Sequence, residues 1–249
     1  STPGWEDRLE QTGRRLLASD PLVGTYLLEL AANRRLWLPG IHDPALLREN
    51  EALQLEARRQ VIAVSPDGFT DTERLWRIRA IHRATNDLSE IEERLAASAS
   101  ATEREPHVER ALEHSQHALS ISRSESLLVR NQRMDAEDVV RLGFTLGRLE
   151  VIEPAIELVR RPGPCRAELA RRQGDPERAL ALAQAALDAE PSADAIGAFA
   201  LVLIDLGRLE EAQACLQRLL RREALGDLAI LELFRSAAVE AQLDRAGER

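Results

Sequence analysis

The pentapeptide Leu-Gly-Arg-Leu-Glu stands at residues 146–150 and again at 206–210, each time ahead of a helical pattern that closes on an arginine pair, Arg160-Arg161 and Arg221-Arg222. A divergent third copy, Gln-Gly-Asp-Pro-Glu at 173–177, lies between them, so Gly147, Gly174 and Gly207 are 27 and 33 residues apart. A glycine-centred period of roughly 34 residues predicts helical hairpins, each too thin to bury its own apolar face and therefore stacked on its neighbours. The rest of the chain allows nothing but helices. Apolar residues recur at helical spacing, no alternating run of β-branched residues occurs, and aromatic residues make up only 3% of the sequence.

Local signals place the helix starts. Proline fits the first helical turn because its missing N–H has no partner there, and a preceding Asp can accept from the next free amides. Asp20-Pro21, Asp43-Pro44 and Asp175-Pro176 therefore predict helix N-termini. Thr70 and Glu73 have the spacing of a capping box ahead of Leu75, Ile78 and Ile81. Helices are expected near 5–18, 21–37, 44–63, 71–96 and 107–130, with the repeat pattern from Met134 onward. The small, polar stretch 96–106 ends in Pro and is the best internal break. The expected organisation is an N-terminal helical bundle over 1–100 and a helical-repeat region with a terminal capping helix over 101–249. Residues 161–164, Arg-Pro-Gly-Pro, read as a loop.

The repeat resembles the tetratricopeptide repeat (TPR) family. In the last copy Gly207 is followed by the small Ala212, then Leu216 and Leu219, while the preceding helix carries Ile196, Phe199, Ala200 and Leu203. The copy before it has Gly174, Ala179, Ala183, Ala186 and a closing Pro191. The first copy has Val139, Val140, Gly147, Ile152 and Ile156, with Ile152 where the family places a small residue. The resemblance covers about 134–224. It implies an all-α fold, a helical bundle followed by an α/α superhelix of TPR-like hairpins, with a concave face lined by the first helix of each hairpin. The apolar positions in 226–249, Leu228, Leu231, Leu233, Phe234 and Val239, suit a helix that caps the last hairpin. Alternatively, residues 243–249 begin another turn and the chain is a fragment of a longer protein.

On the resemblance, the inward positions include Glu137, Arg141, Phe144, Glu168, Arg171, Arg172, Leu201 and Asp205. Arg141, Phe144, Glu168, Arg171, Arg172, Leu201 and Asp205 form the expected partner-binding set, and Arg141, Arg171 and Arg172 offer guanidinium forks to an acidic or C-terminal carboxylate. The competing reading is a solvated helix face on which these arginines pair with Glu137 and Glu168. The family's Lys and Asn carboxylate pattern is absent, because the sequence contains no lysine; all 33 basic residues are Arg. That usage fits a high-GC coding bias, and it removes lysine chemistry.

His107, His114 and His117 could share one helix face, so a metal site is geometrically thinkable. Neither HExxH nor a paired Glu-x-x-His motif accompanies them, and structural histidines are the expectation. Phosphate loops, dinucleotide fingerprints and nucleophile elbows are absent. No catalytic residue, metal or cofactor is therefore expected. Trp5, Trp37 and Trp76 are expected to fill the bundle core. Cys165 and Cys215 lack the number and spacing of a disulfide framework or a metal site.

The net charge of −9 and the scattered arginines argue against nucleic acid as the partner. No apolar run reaches the ~20 residues of a membrane span. The expected function is a non-catalytic interaction module or scaffold docking a protein or peptide partner of acidic character. The alternatives are an accessory or regulatory domain of a larger enzyme or transcription regulator, and a metal-dependent helical enzyme near the three histidines. A cytoplasmic location is expected, with a mature exported fragment as the alternative because the chain starts at Ser1.

Overall fold

The computed structural model describes residues 4–38 and 43–222. The described residues form eleven α-helices and a 3-10 turn at Ser126–Leu128, with no strand. The expected terminal capping helix lies outside them. Two compact units are present, Ser1–Leu158 and Val159–Arg249. The first holds α1 (Trp5–Leu16), α2 (Pro21–Leu36), α3 (Pro44–Ala63), α4 (Asp71–Ser98), α5 (Ala101–Ser124), α6 (Val129–Leu146) and α7 (Leu149–Ile156). The second holds α8 (Pro162–Arg172), α9 (Pro176–Ala189), α10 (Ala193–Asp205) and α11 (Leu209–Arg222).

The local signals act as the chemistry requires. Asp20, Asp43 and Asp175 accept from the amides of Val23, Ala45 and Arg178 at 3.2, 2.8 and 3.1 Å, each next to a Pro in the first turn. Thr70 and Glu73 close a reciprocal capping box on α4. Gly147, Gly174 and Gly207 are left-handed, with φ of 68°, 77° and 73°. After each, the next amide reaches back five residues, Arg148 to Gly143, Asp175 to Ala170 and Arg208 to Leu203, at 2.9, 3.0 and 2.8 Å. This is the Schellman closure, which satisfies carbonyls left over at the helix end and needs a residue without a Cβ penalty at positive φ. Nothing lies within 4 Å of a Cβ built on Gly207, so Gly207→Ala tests the backbone conformation alone. It is expected to cost about 1 kcal/mol, read as a lower urea midpoint at unchanged slope.

Two segments differ from the expectation. The stretch 96–106 is a two-residue turn between α4 and α5, and α5 runs on through Pro106. A capping box between Ser100 and Glu103 sets the start upstream, so Pro106 forfeits only one bond in the early helix. The expected division after residue 100 falls at that turn, inside the first unit, where α4 and α5 pack on one another. Residues 162–164 are not a loop; they form the first turn of α8, where neither Pro162 nor Pro164 removes an intrahelical donor.

In the first unit each helix packs on the next, and α2 also packs on α4. The bond from Asn33 to Asp87 and the cluster of Leu36, Leu47, Ile91 and Leu95 run α2 parallel to α4, with α3 antiparallel to both. His82 with Asp135, and Glu93 with Arg141, set α6 parallel to α4, while Ser89 to Ala111 and Glu92 to His107 run α5 antiparallel. The first helices of successive hairpins are thus neighbours and parallel. Residues 21–124 share this hairpin order although they carry no visible sequence repeat.

In the second unit α8 and α10 are likewise parallel neighbours, joined by a core of Ala167, Ala170, Ala179, Ala183, Ala198 and Val202. A second cluster of Ile196, Ala200, Leu203, Ile204, Ala212 and Cys215 seats α11 on α10. The apparent defect at Ile152 is explained by the residue opposite. A Cβ on Gly143 would lie 2.8 Å from the Ile152 Cγ1, so the bulky and small partners have changed places relative to Leu203 and Ala212. Volume is conserved across the hairpin, which is what close packing demands.

Candidate interaction surface

Three turns of α8 present Glu168, Arg171 and Arg172 on one side, and α10, its parallel neighbour, ends on Asp205. Arg171 donates through Nε and Nη2 to the two Glu168 oxygens at 2.7 and 2.9 Å and through Nη1 to Asp205 at 2.8 Å. Arg172 donates from Nε to Glu168 at 2.7 Å. Burial by itself would raise the Glu168 carboxyl, yet the two guanidiniums hold it below its ordinary value. The Arg171 guanidinium is driven further up, first by its bonds to Glu168. The cluster balances two positive charges with two negative ones. It is a pre-organised polar face with its hydrogen-bond directions set, and Arg171 is not an uncompensated cation. Leu201, placed with this set from the sequence, is 7% exposed and forms part of the interior of α10.

The remaining two residues of the expected set lie in the first unit. Arg141 on α6 makes a fork with both Glu93 oxygens on α4 and a third bond to Asp138. Its partners are therefore not Glu137, the residue expected from helical spacing. Phe144 is buried. Sequence spacing finds partners within one helix at three or four residues; Glu93 and Asp205 are contributed by neighbouring helices and give no such signal.

Two of the three histidines, His107 and His117, meet charged side chains. His107 Nδ1 lies against Glu92, which also receives Arg110, and its other ring nitrogen is 3.4 Å from Arg48. His117 Nδ1 is 2.8 Å from Arg58, and burial followed by the Arg58 charge holds both His114 and His117 below the usual imidazole value. Among the described residues no group of three His, Cys, Asp or Glu side chains is placed to hold a metal.

The tryptophans are not core residues. Trp5, Trp37 and Trp76 are 55%, 66% and 47% exposed. Trp37 caps the end of α2 beneath the Arg94 guanidinium, 5.1 Å from its ring, and Trp76 stacks on Tyr26 at 6.2 Å. The interior they were expected to fill is made of Leu, Ile and Ala, whose smaller side chains let helices approach closely. Two features have no sequence signal at all. One is the buried Asp135, which accepts from His82, Asn86 and Ser122. The other is the layer of Glu29, Asn33, Gln54 and Asp87 between α2, α3 and α4.

The family model described as "Tetratricopeptide repeat" matches residues 170–231. The C-terminal hairpins are tetratricopeptide-like repeats. The matched TPR segment begins within α8 and takes in α9, α10 and α11, with both Gly174 and Gly207. No curated protein matches the chain. Among solved structures, a thermophilic TPR protein of Thermus thermophilus is similar at 19% identity, over 94% of this chain and 99% of that one, with a TM-score of 0.27. So loose a likeness transfers no position. Among the described residues no helix is long and apolar enough to cross a membrane.

Proposed function

We propose that this protein is a non-catalytic docking module in which the polar face of α8 and α10 receives a protein or peptide partner. The observation that carries the reading is the coincidence of a tetratricopeptide match with a face whose charged groups are already ordered by one another. Side chains held in place before binding lose little further entropy on docking, so the partner's polar groups gain more from each contact. Because Glu168 and Asp205 neutralise Arg171, complementarity is set by alternating charge, and a uniformly acidic ligand is a poorer match than a mixed one.

Affinity capture from the native organism, followed by mass spectrometry, tests the surface. The double variant Arg171→Glu/Arg172→Glu is expected to recover roughly a tenth or less of what the unmodified chain recovers, because like charges then face Glu168 and Asp205. Arg172→Glu alone leaves the Arg171 bonds in place and guards against a folding artefact. Equal recovery by all three proteins, each with a cooperative melt, would remove α8 from the docking face.

A further inference from the structure

A cleft of about 220 Å³ lies in the first unit, lined by Arg79, His82, Arg83 and Asn86 of α4, by Leu128 of the 3-10 turn and by Asn131 of α6. Among the described residues no carboxylate lines it. Asp135, the acid behind His82, is 2% exposed and already accepts from His82, Asn86 and Ser122. Its charge is therefore met from within the fold.

The donors around the cleft are differently placed. Among the described residues Arg79 and Asn131 have no hydrogen-bond or ion-pair partner. Arg83 meets Glu29 through Nε, at 3.3 Å, and lies over the Tyr26 ring, and its guanidinium makes no hydrogen bond among the described residues. Other arginines of this chain are tied to acids, as Arg141 is to Glu93 and Arg171 to Glu168, or to backbone carbonyls, as Arg77 is to Val61 and Ile62. Two guanidiniums four residues apart on one helix, with an amide from a second helix, supply unmet donors from more than one direction around a small polar space. A planar carboxylate is satisfied by one guanidinium fork; a tetrahedral dianion can use both arginines and the amide together.

We propose that this cleft binds a phosphate group, free or as a monoester, with Arg79 and Arg83 as the charge partners and Asn131 as the neutral donor. The site is separate from the α8 and α10 face and does not depend on its function. His82 is a positioning residue here: its bond to Asp135 fixes the floor of the cleft between α4 and α6.

Calorimetric titration of the intact chain with inorganic phosphate and with phenyl phosphate, in chloride buffer, tests the assignment. Saturable binding at one site is expected, with affinity roughly tenfold lower in Arg79→Ala and several-fold lower in Asn131→Ala. Both side chains are outside the core, and circular dichroism of each variant checks the fold. Arg178→Ala, on the exposed face of α9, is expected to bind like the unmodified protein. Tighter binding of phenyl phosphate identifies an ester as the ligand, and equal binding identifies free phosphate. Absence of saturation, undiminished affinity in Arg79→Ala, or succinate binding as well as phosphate would each overturn the proposal.

Discussion

Glu29→Gln is expected to remove most of the loss of stability that the unmodified chain suffers between about pH 5 and 8. Glu29 is 1% exposed, and neither of its carboxylate oxygens receives a hydrogen bond. Burial, reinforced by Asp87 and opposed by Arg83, pushes its carboxyl up to about 8 from 4.5. Arg83 stands at 3.3 Å, the geometry of an ion pair, but burial is the larger influence and the neutral acid is favoured at pH 7. The folded state therefore binds this proton more tightly than the unfolded state does. The stabilisation is complete below pH 4.5 and is lost as pH rises to about 8. At about 1.4 kcal/mol per unit the ceiling on that loss is about 5 kcal/mol. Asp87, raised mainly by burial to about 6 from 3.8, adds a smaller loss of the same sign between those two values.

Urea unfolding at pH 5 and pH 8 reads the difference. The unmodified chain is expected to lose several kcal/mol, and Glu29→Gln to keep most of it because an amide of the same shape carries no charge at either pH. Its stability gain should appear at pH 8 and vanish at pH 5. Parallel pH profiles for the two proteins would show that Glu29 titrates normally in the folded state.

Gly24→Ala is expected to destabilise the first unit by about 3 kcal/mol, a large cost for one methyl group. A Cβ at Gly24 would lie 2.8 Å from the Leu17 amide nitrogen, 2.9 Å from the Gly13 carbonyl oxygen and 3.0 Å from the Leu17 Cα. All three are backbone atoms, so no side chain can turn aside; α1 and α2 have to separate. Gly13 faces the same crossing, its own Cβ position 2.9 Å from the Gly24 carbonyl oxygen. Once the helices have parted for one methyl, the second meets less resistance. The double variant Gly13→Ala/Gly24→Ala should therefore cost less than the sum of the single changes. Strict additivity, or a Gly24→Ala melt within error of the unmodified protein, would mean that the crossing is looser than the distances say.

Part of the architecture is legible before any coordinates. The Asp-Pro starts, the Thr70 capping box and the three left-handed glycines depend on chemistry within about five residues of chain, and there the expected helix boundaries agree with the structure to within a residue or two. The tetratricopeptide character of the last hairpins is legible for the same reason, since a glycine closure and a small residue five positions later are local marks. Pro106 and Pro162 mislead because the meaning of a proline depends on how far it stands from a helix start, and a capping box or an unmarked Arg161 sets that distance.

By itself the sequence determined that the chain is helical, where most helices begin and where the repeats turn. Those outcomes are settled by side chains acting on their own backbone. Only the tertiary structure decided that Arg171 is held by Asp205 and Arg141 by Glu93, that the tryptophans face outward, that Gly143 makes room for Ile152, and that Glu29 is sealed from water. It also decided that helices without a repeat follow the same hairpin order. Each of these depends on which helix faces meet, and that is set by apolar burial summed over residues far apart in the chain, a quantity no short window contains.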